Sequence, residues 1–298
     1  NVASDHLGLS GIHTLEQLTR LKSLVAENVH PDGYAVLNAD DINVFSMKDN
    51  APCHTALFSM DPENPRIGEH CAAGGIAAVY DDGNITLRKG DWAMQVDKVI
   101  DIPLTYYGKA AFQIQNVLAA SLAAFVQDVK VEDIRIGLQT FVPSSAQLPG
   151  RMNIFEIEKV KVLIDYAHNP ASMEAIGKFV GSLGVAFSVA ILAGTGDRRD
   201  EDLIAYGRVA AEYFDEVIVW VDEDYARGRD SREIMELIVQ GAKSSPKQAS
   251  VHIIPDEDDA VDHALQKARP NSIIAVFTGR IEDMTNKIKM LKELELDL

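Results

Sequence analysis

Val160-Lys161-Val162-Leu163-Ile164-Asp165-Tyr166-Ala167-His168-Asn169-Pro170 runs from a β-branched, apolar stretch straight into a polar turn. Val160 to Ile164 has the composition of a strand covered on both faces of a parallel sheet. The turn gathers a carboxylate, an imidazole and a carboxamide at the strand's C-terminal end. Pro170 then opens a helix, Ala171 to Leu183, at the position where its missing N–H costs nothing. Ligands of open α/β sheets bind at that edge. Two local readings stand side by side: Asp165 and Asn169 cap the helix, or they line a binding site.

The pattern repeats downstream. Apolar strands at 160–165, 187–193, 216–221, 250–254 and 272–277 alternate with helices near 171–184, 200–213, 230–243, 257–268 and 281–295. That alternation predicts a mainly parallel sheet covered on both faces. Its strand exits carry Asp165, Gly194-Thr195-Gly196-Asp197-Arg198-Arg199, Asp222-Glu223-Asp224, Pro255-Asp256 and Thr278-Gly279-Arg280, enough polar chemistry for one cleft edge. Upstream, Pro143-Ser144-Ser145-Ala146-Gln147-Leu148-Pro149-Gly150 reads as a linker. Before it, Thr14 caps an amphipathic helix from Leu15 to about Asn28, and Tyr34 to Leu37 is a short strand. Thr55 to Met60 is another, Gly75–Tyr80 and Ile85–Arg88 make a hairpin, and Trp92 to Ile102 is extended. Gln113–Phe125 and Val131–Thr140 are helical. Asn1-Val2-Ala3-Ser4 reads as a strand end cut in mid-course, and a fragment of a longer protein is expected.

With 298 residues and 47% hydrophobic content, one large or two ordinary domains with a real core are expected. The net charge of −17 argues against a nucleic-acid backbone as partner. An anionic substrate then needs locally placed Arg or Lys. The two cysteines, Cys53 and Cys71, form no CxxC, so a reduced, cytoplasmic protein is expected. No apolar run reaches the roughly 20 residues of a membrane span. A homo-oligomer is compatible with this composition.

Each chemical candidate has a bland counterpart. Gly194 to Arg199 pairs a glycine-rich turn with two guanidinium groups, which suits phosphate, yet surface arginines on a βα turn are as good an account. His6 beside Asp5 suits a divalent cation or a structural turn. Lys22 on its helix is a ligand candidate or a snorkelling lysine. Asn116 is a poor helix former with either a binding role or a satisfied core amide. Arg151 follows Pro149-Gly150 and reaches a ligand, or is a linker arginine. There is no GxxxxGK[ST] and no GxGxxG after a strand, which disfavours a dinucleotide-dependent oxidoreductase.

Taken in order, Asp5-His6-Leu7-Gly8…Gly11 with Lys22, Asn38-Ala39-Asp40-Asp41, Gln115-Asn116-Val117-Leu118-Ala119-Ala120, Pro149-Gly150-Arg151 and Asp165-Tyr166-Ala167-His168-Asn169-Pro170 resemble the Mur ligase superfamily of ATP-dependent amide-forming ligases. Gly194-Thr195-Gly196-Asp197-Arg198-Arg199-Asp200 and Arg227-Gly228-Arg229 resemble its cyanophycin synthetase branch. The resemblance implies an α/β chain in two parts. Residues 1–148 would be the remainder of a central ATP-binding domain. Residues 149–298 would be a Rossmann-like C-terminal domain with a five- to six-stranded, mainly parallel sheet. It implies ATP and Mg²⁺ as cofactors and an acyl-phosphate intermediate. His6 and Lys22 would hold metal, with Lys22 open to carbamylation. Asn116 would contact adenine, Arg151 the phosphates, and Asp165 and His168 the ribose side. Arg198, Asp222, Asp224 and Arg227 would face the substrates, an amino acid such as arginine and an aspartate-containing peptide polymer. The family's phosphate-binding loop precedes the Asp-His-Leu segment, so the chain by itself is expected not to ligate. The rival expectation is a noncatalytic nucleotide- or peptide-binding module.

Overall fold

The computed structural model describes residues 1–5, 7–221 and 223–296, with side chains through residue 293. They form two compact units, Asn1–Leu7 with Gly11–Val142 and Gly8–Ser10 with Pro143–Leu298.

In the first unit, α1 (Leu15–Glu27) leads to β1 (Tyr34–Asn38), α2 (Ile42–Phe45) and a 3-10 turn over Ser46–Asn50. Next come β2 (His54–Ser59), α3 (Pro65–Ala72), β3 (Ile76–Asp81), β4 (Asn84–Lys89) and β5 (Trp92–Lys98), then α4 (Ala111–Phe125) and α5 (Val131–Thr140). The strands lie in the order β1-β2-β3-β4-β5; the first three are parallel and the last two antiparallel. Period-two alternation sends Leu57 and Val79 to a core with Leu18, Ile67 and Cys71. It sends Ala56, Phe58 and Ala78 to the opposite core with Ile114, Leu118 and Leu122 of α4.

Two expectations need correction here. Residues 1–4 form no strand; the Asn1 carboxamide instead bonds Asn38 and Gln115 at 2.5 and 3.1 Å. Extended structure ends at Lys98, because 3-10 turns at Val99–Asp101 and Pro103–Thr105 follow. Pro103 has no N–H to continue a ladder. Helix α3 was not read from the sequence, although Asn64 caps it through Arg66 N–H (3.0 Å) and Pro65 occupies its first turn. With only Ile67 and Cys71 buried, its apolar stripe is too short to show periodicity.

In the second unit, β6 (Asn153–Ile157) and β7 (Val160–Asp165) form a hairpin, followed by α6 (Pro170–Ser182), β8 (Phe187–Leu192), α7 (Asp200–Tyr213) and β9 (Glu216–Val219). Then come α8 (Ser231–Lys243), β10 (Ser250–Ile253), α9 (Glu257–Lys267), β11 (Ser272–Phe277) and α10 (Ile281–Leu296). The sheet order is β10-β9-β8-β11-β7-β6, parallel except for β6. All six residues of β11 are buried, as a central parallel strand requires. One face packs Val162, Ile164, Ile191 and Val276 against α9 and α10. On the other, Phe277 meets Phe214 edge-on at 6.1 Å. Helices α7 and α8 cross there with almost no side chain between them. A Cβ on Gly207 would stand 2.0 Å from the Ile238 carbonyl, and one on Gly241 1.9 Å from that of Ile204.

The chain leaves β8 toward α7 on one face and β11 toward α10 on the other. Their C-terminal ends therefore flank a topological switch point, where open α/β sheets form a ligand crevice.

Candidate functional site

At the end of β7 the local and the long-range sequence meet. Asn169 caps α6, its Oδ1 accepting the Ser172 N–H at 2.9 Å. Asp165 does not cap. Its Oδ1 accepts the Ala167 N–H at 2.8 Å, an Asx turn, and its Oδ2 accepts the Met152 N–H at 2.8 Å. Tyr166 N–H bonds the Gly150 carbonyl (3.0 Å) and Thr278 N–H bonds the Asp165 carbonyl (3.1 Å). One buried carboxylate thus ties the 150–152 segment to the turn after β7, beside the exit of β11. Burial pushes its carboxyl above the ordinary value, against the backbone N–H groups of Met152, Ala167 and Tyr166 and the Arg151 charge, which favour the anion.

That tie fixes Arg151. Its guanidinium lies 5.2 Å from the Tyr166 ring centroid and donates to the Gly150 carbonyl at 3.1 Å. The His168 ring meets Tyr166 edge-on at 5.1 Å, with Nδ1 3.0 Å from the Tyr166 carbonyl. The buried Tyr206 hydroxyl donates to the Ala167 carbonyl at 3.0 Å, and burial raises its pKa. Arg151, Asp165 and His168 are therefore brought together around Tyr166, a residue the sequence did not single out for a role.

The glycine-rich exit of β8 departs from a bare arginine clamp. Arg199 grips Asp202 through two nitrogens at 2.8 and 2.9 Å. Arg229 bonds Asp200 and Glu233 at 2.6 and 2.8 Å. Arg227 pairs with Asp197, while the buried Arg198 lies 3.5 Å from the same carboxylate. Arg198 and Arg227 are thus joined through Asp197, which sequence reasoning quoted but did not assign. By contrast, among the described residues Arg151 makes no salt bridge to a carboxylate, so its remaining donors are open to an anion. Gly196 is obligatory here: its N–H bonds the Tyr225 carbonyl at 2.8 Å, and a Cβ would stand 1.8 Å from the Ala226 carbonyl.

Asp224 is exposed at the β9 exit, and the neighbouring Glu223 accepts from Ser231 at 2.7 Å. Asp222 and His6 lie outside the described residues. Lys22 and Asn116 belong to the first unit. Lys22 is exposed on α1; Asn116 is exposed on α4 and donates to Gln113 at 2.9 Å. Among the described residues no group of three ligating side chains is placed to hold a metal ion. No helix among them is long and apolar enough to cross a membrane.

Residues 1–124 match the family described as Mur ligase middle domain, and residues 150–280 match the Mur ligase, glutamate ligase domain. The cyanophycin synthetase of Nostoc sp. (strain PCC 7120) is 46% identical over 292 residues, covering 98% of this chain and 32% of that protein. The UDP-N-acetylmuramoyl-L-alanyl-D-glutamate--2,6-diaminopimelate ligase of Bacillus cereus is 25% identical over 289 residues, covering 93% of the chain and 52% of that ligase. The chain spans about a third of the length of the cyanophycin synthetases it matches. Among solved structures, MurF from Acinetobacter baumannii shares the fold with a TM-score of 0.68 at 20% identity, covering 98% of this chain and 58% of that one. E. coli FolC in complex with DHPP and ADP gives 0.67 at 16%, covering 98% and 60%.

Proposed function

Because the chain belongs to the Mur ligase superfamily, we propose that it is the nucleotide-contacting and amine-selecting part of an ATP-dependent ligase that joins a carboxylate to an amino acid. The observation that carries this reading is Arg151, locked on Tyr166 by the Asp165 tie and free of any carboxylate partner among the described residues. ATP supplies the phosphoryl group that turns a carboxylate into a good electrophile, and the amine displaces phosphate. The chain's own contribution is positional. Arg151 offers a planar fork of donors to phosphoryl oxygens and neutralises charge where it accumulates. Asp165 holds the segment that carries Arg151, so the fork is oriented before the ligand arrives. Asp165 and His168 border the ribose side of the Arg151 site within the second unit, and Asn116 of the first unit is the residue that the family resemblance assigns to the base.

The substrates follow from the relatives and the local charge. The 46% identity to cyanophycin synthetase favours arginine as amine donor and the β-carboxylates of an aspartate polymer as acceptors. Carboxylates at residues 222–224 suit a guanidinium, whereas Arg198 and Arg227, already joined through Asp197, meet an anionic acceptor only by exchanging that carboxylate for it. His6 and Lys22 are the residues that would hold Mg²⁺, which would neutralise phosphoryl charge. The free thiols of Cys53 and Cys71 fit a reducing, cytoplasmic setting.

The test is phosphate release by the protein that carries this chain, with ATP, Mg²⁺, arginine and an aspartyl peptide. The expected result is arginine-dependent release with a matching amide product, reduced at least about a hundredfold by Arg151→Ala, the size of losing one preorganised charged donor. Nucleotide binding without arginine-dependent release would instead favour a noncatalytic binding module.

A further inference from the structure

We propose that the first unit binds a small polyanion in a two-chambered cavity at the N-terminal edge of its sheet. The cavity is built from the first residues of the parallel strands, Tyr34 of β1, His54 and Thr55 of β2, and Ile76 of β3. The first chamber therefore lies at the opposite edge from the Asn38–Asp41 and Ser59 strand exits, and the second runs along β2 to Leu57 and to Arg66, whose guanidinium donates to the Ala39 carbonyl. Each chamber measures about 370 Å³, room for a ligand of di- or triphosphate or tricarboxylate size. The two adjoin along a shared wall of Cys53, Thr55 and His70.

Charge identifies the ligand class. On a chain of net charge −17, the two chambers present Lys48, Arg66 and Lys89 as fixed cations against one lining carboxylate, Glu69. Lys48 also bonds Asp49 on the rim (2.9 Å), which leaves the balance positive. Lys48 and Arg66 stand 5.0 and 4.8 Å from the Phe45 ring centroid, so both cations are held against one aromatic ring. Lys89 has no carboxylate partner among the described residues.

The dividing wall is itself specific. The His70 ring lies so close over Gly75 that a Cβ there would stand 2.3 Å from Nε2. That nitrogen is buried, and the ring interacts with the backbone of Ile76 and Thr55. His70 lines both chambers, so a ligand in either one changes the surroundings of its ring. Burial depresses the His70 pKa, so the fixed positive charge comes from the lysines and Arg66.

The cavity lies wholly within the first unit and is independent of the ligase reading. Calorimetric titration of the protein at low salt with pyrophosphate, and separately with citrate, tests it. Binding of at least one is expected, weakened about tenfold or more by the pair Lys48→Glu and Lys89→Glu. Addition of the binding anion should also move the His54 and His70 imidazole NMR signals. Both lysines sit on the surface, and circular dichroism of the pair checks that it folds; the milder Lys48→Gln and Lys89→Gln pair should weaken binding less. Pyrophosphate alone would identify a phosphoryl ligand, citrate alone a carboxylate, and both a site that reads multivalent charge. No heat from either anion overturns the proposal. So does binding that ignores the charge reversal, including binding lost only in Arg151→Ala, which would belong to the nucleotide cleft.

Discussion

Replacing Asp165 by Asn should destabilise the second unit by about 1–3 kcal/mol. The carboxylate accepts two backbone N–H groups, from Met152 and Ala167, both at 2.8 Å, and is only 7% exposed. An asparagine of the same shape keeps one acceptor oxygen, and its NH₂ must then face the other N–H. A buried donor left without an acceptor costs about 1–3 kcal/mol. Asn also avoids the burial penalty that raises the Asp165 carboxyl, so the lower half of that range is expected. Asp165→Ala leaves both N–H groups unsatisfied and should cost about twice as much. The assay is urea unfolding followed by Trp220, which is buried in the second unit, in a background where Trp92 of the first unit is Phe. With an m-value near 2 kcal/mol per M, a loss of ~2 kcal/mol moves the midpoint by ~1 M. A shift below about 0.2 M for Asp165→Asn, or an Asp165→Ala variant no less stable than Asp165→Asn, would refute the tie.

The same residue predicts a pH dependence. Its native carboxyl is raised above its unfolded value, so the stability it contributes is complete below the unfolded carboxylate range. That contribution is lost as pH rises through the raised native value. The stability gap between wild type and Asp165→Asn should therefore narrow from acid toward neutral pH in parallel urea titrations; a gap that widens contradicts the burial-dominated shift. Gly207→Ala places a methyl 2.0 Å from the Ile238 carbonyl at the α7–α8 crossing. It should cost about 1–3 kcal/mol or more in the same Trp220 assay, since backbone on both sides must move apart. Tyr206→Phe removes the 3.0 Å bond to the Ala167 carbonyl and should cost about 1–3 kcal/mol; an unchanged midpoint would show that this carbonyl finds water.

Much of the second unit was legible because its periodicity is local. The strand at 160–165 and the helix after Pro170 follow from neighbouring side chains, and so do the β-branched runs of β8 and β11. Strand β6 was hidden. It is short, two of its residues are half-buried and one is exposed, so it carries neither a continuous apolar run nor a clean alternation. At the site, the residue types around β7 were readable, but their roles were not. Asp165 looked like a cap because it precedes a helix by a few residues; Asn169 does the capping.

What the chain's order of residues determined alone is the α/β class, the strand–helix alternation after residue 160 and the short list of polar groups at strand exits. Those depend on side-chain spacing and on caps, which act over a few residues. Tertiary structure decided which groups are free. Met152 meets Asp165 across 13 positions and Arg227 meets Asp197 across 30. β11 enters the sheet between β7 and β8, although it is the last strand in the chain. Non-local pairing of buried charge and strands has no local period to read. It is the three-dimensional ledge, with Arg227, Arg199 and Arg229 each matched to a carboxylate, that leaves Arg151 open on the face of Tyr166.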